Sequence, residues 1–270
     1  MNDTLTTLNW LVEAGADEAI AEQPVNRLAA KAAAPLPVRP AAPEGPSPMK
    51  APARTEIPVS GDMIGSAQAA AAGATTLDEL KSALEAFDGC TLKRTATSTV
   101  FADGVAAGRI MLIGEAPGRD EDRVGKPFVG RAGQLLDKML ASIGLDRKTN
   151  AYITNVINWR PPDNRDPTPE EAASCLPFLR RHIELANPSV IILLGAVAAR
   201  HVVGSSEGIM KLRGRWMEYR VGDRMVPLMP TLHPAYLLRQ PAHKKLAWRD
   251  LQAVRDKIQT LRLSESTGAV

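Results

Sequence analysis

Four short apolar runs, RIMLIG (109–114), AYITNVI (151–157), SVIILLG (189–195) and MVPLMPTLH (225–233), stand beyond residue 100, and three lead into residues able to do chemistry. After the first come Gly114, Glu115, Ala116, Pro117 and Gly118, then Glu121 and Asp122, then Phe128. After the second come Asn155, Arg160 and Arg165, and the fourth ends in His233, followed by Tyr236, Leu237 and Arg239. A carboxylate such as Glu115, with Glu121 and Asp122 behind it, can stabilise a developing cation or orient a water; equally, such acids cap the segment that follows. Phe128, in a chain with 4% aromatics, is either core packing or a flat surface for stacking a base. Asn155 either ends its strand or offers a donor and an acceptor to the edge of a pyrimidine. His233 is either a satisfied strand-end histidine or an electrophilic group facing the same crevice. The 114–118 turn is only superficially like a phosphate loop: it lacks Gly-Lys-Ser/Thr and puts an acid where a phosphate would be repelled, so no nucleoside triphosphate site is expected.

The elements that must position these residues alternate. Thr76 caps LDELKSALEAF, a helix with Leu77, Leu80, Leu84 and Phe87 on one face. GQLLDKMLASIG (133–144) places Leu135, Leu136, Met139, Leu140 and Ile143 at helical spacing, and PEEAASCLPFLRRHIELA (169–186) reads as a helix interrupted by Pro177. Trp248, on the final helix, is expected in the core. Strands alternating with helices predict an α/β fold with a mainly parallel sheet, whose ligand crevice lies beyond the carboxyl ends of the strands.

The 270 residues, 44% hydrophobic and 23% charged, suffice for one sizeable core with an attachment. Residues 32–58 hold eight prolines and few large apolar side chains, the composition of a linker. The expected organisation is a short helical segment within residues 1–30, a Pro/Ala-rich disordered linker over 31–75 and a catalytic domain over 76–265. Residues 1–75 carry 5 Lys/Arg against 8 Asp/Glu, leaving 28 against 22 in residues 76–270, a modest positive balance compatible with a polyanion. The N-terminus lacks a basic start followed by an apolar run and no stretch reaches membrane-spanning length, so a cytoplasmic protein without a membrane partner is expected. Two cysteines, Cys90 and Cys175, exclude a disulfide framework.

Taken jointly, GEAPGRDEDRVGKPFVGRAGQLLDKML, TNVINWRPPDNRDPTPEE and LHPAYLLR resemble, in order and spacing, the motifs of the uracil-DNA glycosylase superfamily, specifically its family 4, over roughly residues 80–260. The resemblance implies a three-layer αβα sandwich around a central four-stranded parallel sheet, and a monomer that hydrolyses the N-glycosidic bond of uracil in single- and double-stranded DNA, leaving an abasic site. It implies that Phe128 stacks on the base, that Asn155 reads its edge and that Ala116 leaves room beside it. Catalysis falls to Glu115, helped by Asp122 or Glu121, and to His233 as donor to the uracil oxygen. Tyr236 and Leu237 are placed to enter the hole left by the flipped nucleotide, with Arg239 near a phosphate. Arg165, Lys211, Arg213, Arg215, Lys244 and Lys245 are further candidates for phosphate contacts.

The sequence departs from that family at one place. Family 4 members usually carry an iron–sulfur cluster on four cysteines, a CxxC before the first strand and two more sixteen residues apart after the second. Here Cys90 and Cys175 match two ligand positions, while Phe87 and Trp159 stand at the other two. A cluster-free relative is expected, its two cysteines adjacent, reduced and structural. A binding protein for abasic or damaged DNA that has lost catalysis is the competing reading.

Overall fold

The computed structural model describes residues 61–267. The chain divides into two units, Met1–Thr55 and Glu56–Val270, and every described residue belongs to the second. The helical segment expected within residues 1–30 and the proline-rich stretch up to residue 60 lie outside the described residues.

In chain order the elements are α1 (Gly61–Ala72), α2 (Leu77–Ala86), β1 (Ala102–Gly104), β2 (Ile110–Gly114), α3 (Arg119–Val124), α4 (Arg131–Ala141), β3 (Ala151–Asn155), α5 (Pro169–Ala186), β4 (Val190–Leu194), α6 (Ala196–Val203), α7 (Ile209–Leu212), β5 (Met217–Val221), β6 (Arg224–Thr231), α8 (Pro234–Arg239) and α9 (Lys244–Thr267). They form a sheet ordered β1-β3-β2-β4-β6-β5. The inner strands β3, β2, β4 and β6 run parallel, and β1 and β5 join the two edges antiparallel.

Side chains alternate across a strand, and here both faces are covered. Ile110 and Leu112 of β2 pack with Leu136 and Leu140 of α4, Leu237 of α8 and Leu251 of α9. Met111 and Ile113 of the same strand join Leu80 and Leu84 of α2, Ile183 of α5 and Ala198 of α6. Burial on both sides explains why the inner strands read as unbroken apolar runs. The fold is therefore α/β, with helices on both sides of the sheet.

Several sequence expectations change. Six strands occur among the described residues rather than four, because β1 has three residues and β5 alternates half-buried with exposed positions, too weak a pattern to register. The stretch 61–75, assigned to the linker, holds α1, which packs on α5 and buries Ala67 and Ala71. Alanine buries little area per residue and so leaves little trace in an apolar pattern, yet it permits close helix approach. α5 runs unbroken through Pro177, secured at its start by a reciprocal Thr168–Glu171 capping box and by buried residues on both sides of the proline. Trp248 is 41% exposed, since Ala247, Leu251, Val254 and Ile258 define the buried face of α9 and Trp248 lies one position round the helix. No helix among the described residues is long and apolar enough to cross a membrane.

Candidate active site

The chain passes from β2 to β3 on one side of the sheet, then crosses to β4 on the other, so the strand order reverses at β2. Such a switch point opens a crevice beyond the strand carboxyl ends. A cavity of about 450 Å³ lies there, lined by the turn after β2, the end of β3, the start of α6, the residues after β6 and the 161–166 loop. Among its lining residues are Glu115, Ala116, Phe128, Asn155 and His233.

Local packing dictates how Phe128 and Asn155 meet. A Cβ on Gly114 would collide with the Asn155 amide oxygen and would stand 2.6 Å from the Phe128 ring, so only glycine lets both side chains close over the end of β2. Phe128 adopts a left-handed backbone (φ 54°), a conformation that costs a non-glycine residue about 1–3 kcal/mol. The Asn155 side chain is buried, and its Oδ1 has no hydrogen-bond partner among the described residues. A buried acceptor left alone costs about 1–3 kcal/mol. A ring beside an acceptor that no described residue satisfies suits a planar heterocycle that carries an N–H.

The electrostatics of the other two groups are set by burial. Glu115 is held above the ordinary carboxylate range by burial first and then by the nearby charge of Asp166, with Arg200 opposing. His233 lies with its ring 5.5 Å from that of Phe128, centroid to centroid. It is pushed down to about 4, by burial first and then by Arg239. The imidazole is therefore neutral near pH 7, and its Nδ1 accepts from the Ala235 amide at 3.1 Å, capping α8. In a neutral ring whose Nδ1 is an acceptor, the proton is on Nε2.

Other residues singled out in the sequence are placed differently. Glu121 borders the cavity, but its Oε2 accepts from the Gly118 amide at 3.1 Å and its Oε1 from the Val129 and Gly130 amides at 3.1 and 3.0 Å. It clips the 114–118 turn to the Phe128 loop. Asp122 is buried away from the cavity, and its Oδ1 accepts from the amides of Thr97 and Ser98 at 2.8 and 3.0 Å. Successive helical residues project about 100° apart, so neighbours on α3 face different ways. The same phase separates the residues of α8: Tyr236 and Arg239 border the cavity, whereas Leu237 is 1% exposed in the core and Leu238 is 38% exposed. Leu237 is thus no wedge.

Most of the arginines proposed for phosphate are already paired. Arg165 binds both carboxylate oxygens of Glu171, at 2.6 and 2.8 Å, Arg215 pairs with Glu207 at 3.3 Å, and Arg213 pairs with the buried Asp250. Lys211, Lys244 and Lys245 are exposed. Sequence reasoning missed Arg119 and Arg131, which border a polar opening of about 330 Å³ sharing Glu121, Ala132 and Asn164 with the main cavity. Neither makes an ion pair among the described residues. It also missed Asp166 and Arg200; no local pattern marks either one as a neighbour of Glu115.

Away from the cavity, Cys90 and Cys175 are buried in one core cluster with Phe87 and Trp159. The neighbouring Cys175 thiol lowers Cys90 to about 7, and Cys90, together with burial, raises Cys175. The Phe87 ring packs 5.1 Å from that of Phe178, and Trp159 Nε1 donates to Thr99 Oγ1 at 3.0 Å. Two sulfurs and two large rings do not fit a four-thiolate cluster.

Residues 101–252 match the Uracil DNA glycosylase superfamily. A type-4 uracil-DNA glycosylase of Thermotoga maritima is 41% identical over 172 residues, 63% of this chain and 88% of that protein. The type-4 uracil-DNA glycosylase of Archaeoglobus fulgidus is 42% identical over 170 residues, 62% of this chain and 85% of its own, and that of Sulfurisphaera tokodaii 35% identical over 186, 67% and 84%. The matched span contains every strand from β1 to β6 and every residue of the cavity described above. The chain therefore belongs to the uracil DNA glycosylase superfamily.

Proposed function

We propose that the protein removes uracil from DNA by hydrolysing its N-glycosidic bond. The observation that carries the reading is the buried Oδ1 of Asn155, without a hydrogen-bond partner among the described residues, next to the Phe128 ring. Uracil presents an N–H at N3 to satisfy that oxygen and a carbonyl at C4 for the amide nitrogen; cytosine presents an acceptor and an amine in those places and is refused.

A base inside a duplex is out of reach, so the nucleotide is extruded into the cavity at a cost of a few kcal/mol, least for mispaired or single-stranded uracil. Bond cleavage builds negative charge on the leaving base and positive charge on the sugar. His233 Nε2–H donates to the uracil oxygen, while Glu115 as carboxylate stabilises the sugar cation and orients the attacking water. Ala116 leaves room beside the base. Glu121 serves by holding the two loops together, and Asp122 has no part in the chemistry. Arg119 and Arg131 at the polar opening, with Arg239 at the rim, meet the backbone phosphates. Exposed Leu238 and half-buried Tyr236 fill the gap in the stack.

We also infer that the enzyme works without an iron–sulfur cluster, because Phe87 and Trp159 fill the space beside the two cysteines. Stoichiometric iron in the purified protein, with the absorbance of a cluster, would overturn that inference. The activity is tested with uracil-containing oligonucleotides, single- and double-stranded, followed by alkaline cleavage. Strand breaks absent from a Glu115→Ala, Asn155→Ala control are expected. No breaks, with tight binding to abasic-site DNA retained, would favour the damaged-DNA binding protein instead.

A further inference from the structure

Arg147 lies in the turn between α4 and β3, nineteen residues beyond Phe128, and its side chain is 12% exposed. Its Nη2 donates to the Phe128 carbonyl at 2.9 Å and its Nη1 to the Pro127 carbonyl at 3.1 Å. Asp103 Oδ2 receives Nη1 at 3.2 Å, and Asp137 Oδ1 receives Nε at 2.8 Å. Every nitrogen of the guanidinium is thus engaged, two of them on consecutive carbonyls. In extended chain successive carbonyls point opposite ways. Here they converge on one cation at the point where Phe128 turns the backbone at φ 54°.

The opposite side of the same turn is held independently. The Val129 and Gly130 amides donate to Glu121, and a Cβ on Gly133 would collide with the Phe128 carbonyl. The carbonyls of residues 127 and 128 are therefore gripped from one side and the amides of 129 and 130 from the other.

We propose that Arg147 is a positioning residue for base recognition: its planar fork fixes the backbone that aims the Phe128 ring at the cavity. The inference rests on the reading of Phe128 as the platform for uracil. Without the clamp, a non-glycine residue in the left-handed region relaxes toward the ordinary regions and swings the ring off the Asn155 amide. Lysine keeps the charge but offers a point donor rather than a rigid bidentate fork, so it does not replace arginine here.

The test is a double-mutant cycle on uracil excision from a single-stranded oligonucleotide, with inhibition by free uracil read in parallel. Arg147→Lys is expected to lower kcat/KM about 10-fold and to weaken uracil inhibition by a similar factor, as misplacement of a binding group does. In a Phe128→Leu background the further loss from Arg147→Lys should shrink to less than about 2-fold, because the ring to be aimed is gone. An unchanged kcat/KM in Arg147→Lys overturns the proposal. So does an equal loss in both backgrounds, which would mark a merely structural role. If Arg147→Lys does not fold, Asp137→Ala, which removes the acceptor of Nε at a half-exposed position, goes through the same cycle with an expected loss of about 3-fold and the same criteria. An inactive wild-type protein removes the glycosylase reading and this one together; an active wild type with an indifferent Arg147 removes only this one.

Discussion

His233 accepts a hydrogen bond from the Ala235 amide through Nδ1, at 3.1 Å, and so presents Nε2 as its protonated nitrogen. Because burial and Arg239 lower its basicity to about 4, the ring stays neutral through the ordinary range of enzyme assays. kcat/KM against pH should show no inflection near the usual histidine value. The acid limb should instead follow Glu115, whose protonation is favoured by burial and by Asp166. Activity requires the carboxylate, so it is lost as pH falls through a value above the ordinary carboxylate range. Removing a like charge with Asp166→Asn should move that limb to lower pH; a limb that stays in place would exclude Glu115 as the titrating group.

Asn155 sets function against stability. Its Oδ1 is buried without a hydrogen-bond partner among the described residues, and a buried acceptor left alone costs about 1–3 kcal/mol. Asn155→Leu, of similar volume, should raise Tm by about 2–4 °C per kcal/mol recovered. The same variant should lower uracil excision by about 100-fold or more, since the hydrogen bonds to the base are gone. Thermal melts and excision assays on one preparation decide the matter, and a destabilised Asn155→Leu would show that the amide already has a partner.

Two adjacent leucines on α8 should behave oppositely. Leu237→Ala opens a hole in the core and should cost about 2–5 kcal/mol in denaturant unfolding. Leu238→Ala should change stability by less than about 0.5 kcal/mol, as exposed substitutions do. Its effect should appear in excision from duplex, where a gap must be filled, more than from single strands. Equal losses on both substrates would take Leu238 out of the stack.

Among the arginines, pairing predicts which ones answer to salt. Arg119→Gln and Arg131→Gln should each reduce the slope of log binding constant against log salt by about 0.7 on single-stranded DNA. Arg213→Ala should instead unfold more easily, by about 3–5 kcal/mol, because it strands the buried carboxylate of Asp250. A salt slope altered by Arg213→Ala and untouched by the other two would reverse the assignment.

Features encoded in local periodicity were legible in the chain. The unbroken runs at 109–114 and 189–195, the capping of α2 by Thr76, and the apolar faces of α2 and α4 follow from spacing a few residues long, and with them the parallel inner strands and the α/β fold. Their order also placed Glu115, Asn155 and His233 at strand ends, hence in one crevice, because a parallel sheet brings its carboxyl ends to one edge. Which of two neighbours faces that crevice depends on long-range packing. Glu121 against Asp122, and Leu237 against Leu238, are questions of helical phase relative to a distant core. The partners of each charge lay equally beyond the sequence: Arg165 is taken by Glu171 and Arg213 by Asp250, while Arg147 reaches back nineteen residues to Phe128. Nothing local distinguishes a paired cation from a free one, since pairing is a contest among groups brought together by folding. The two cysteines lie between these cases: their number is a property of the chain, but their contact with each other beside Phe87 and Trp159 comes from the packing of α5 against the segment that follows α2.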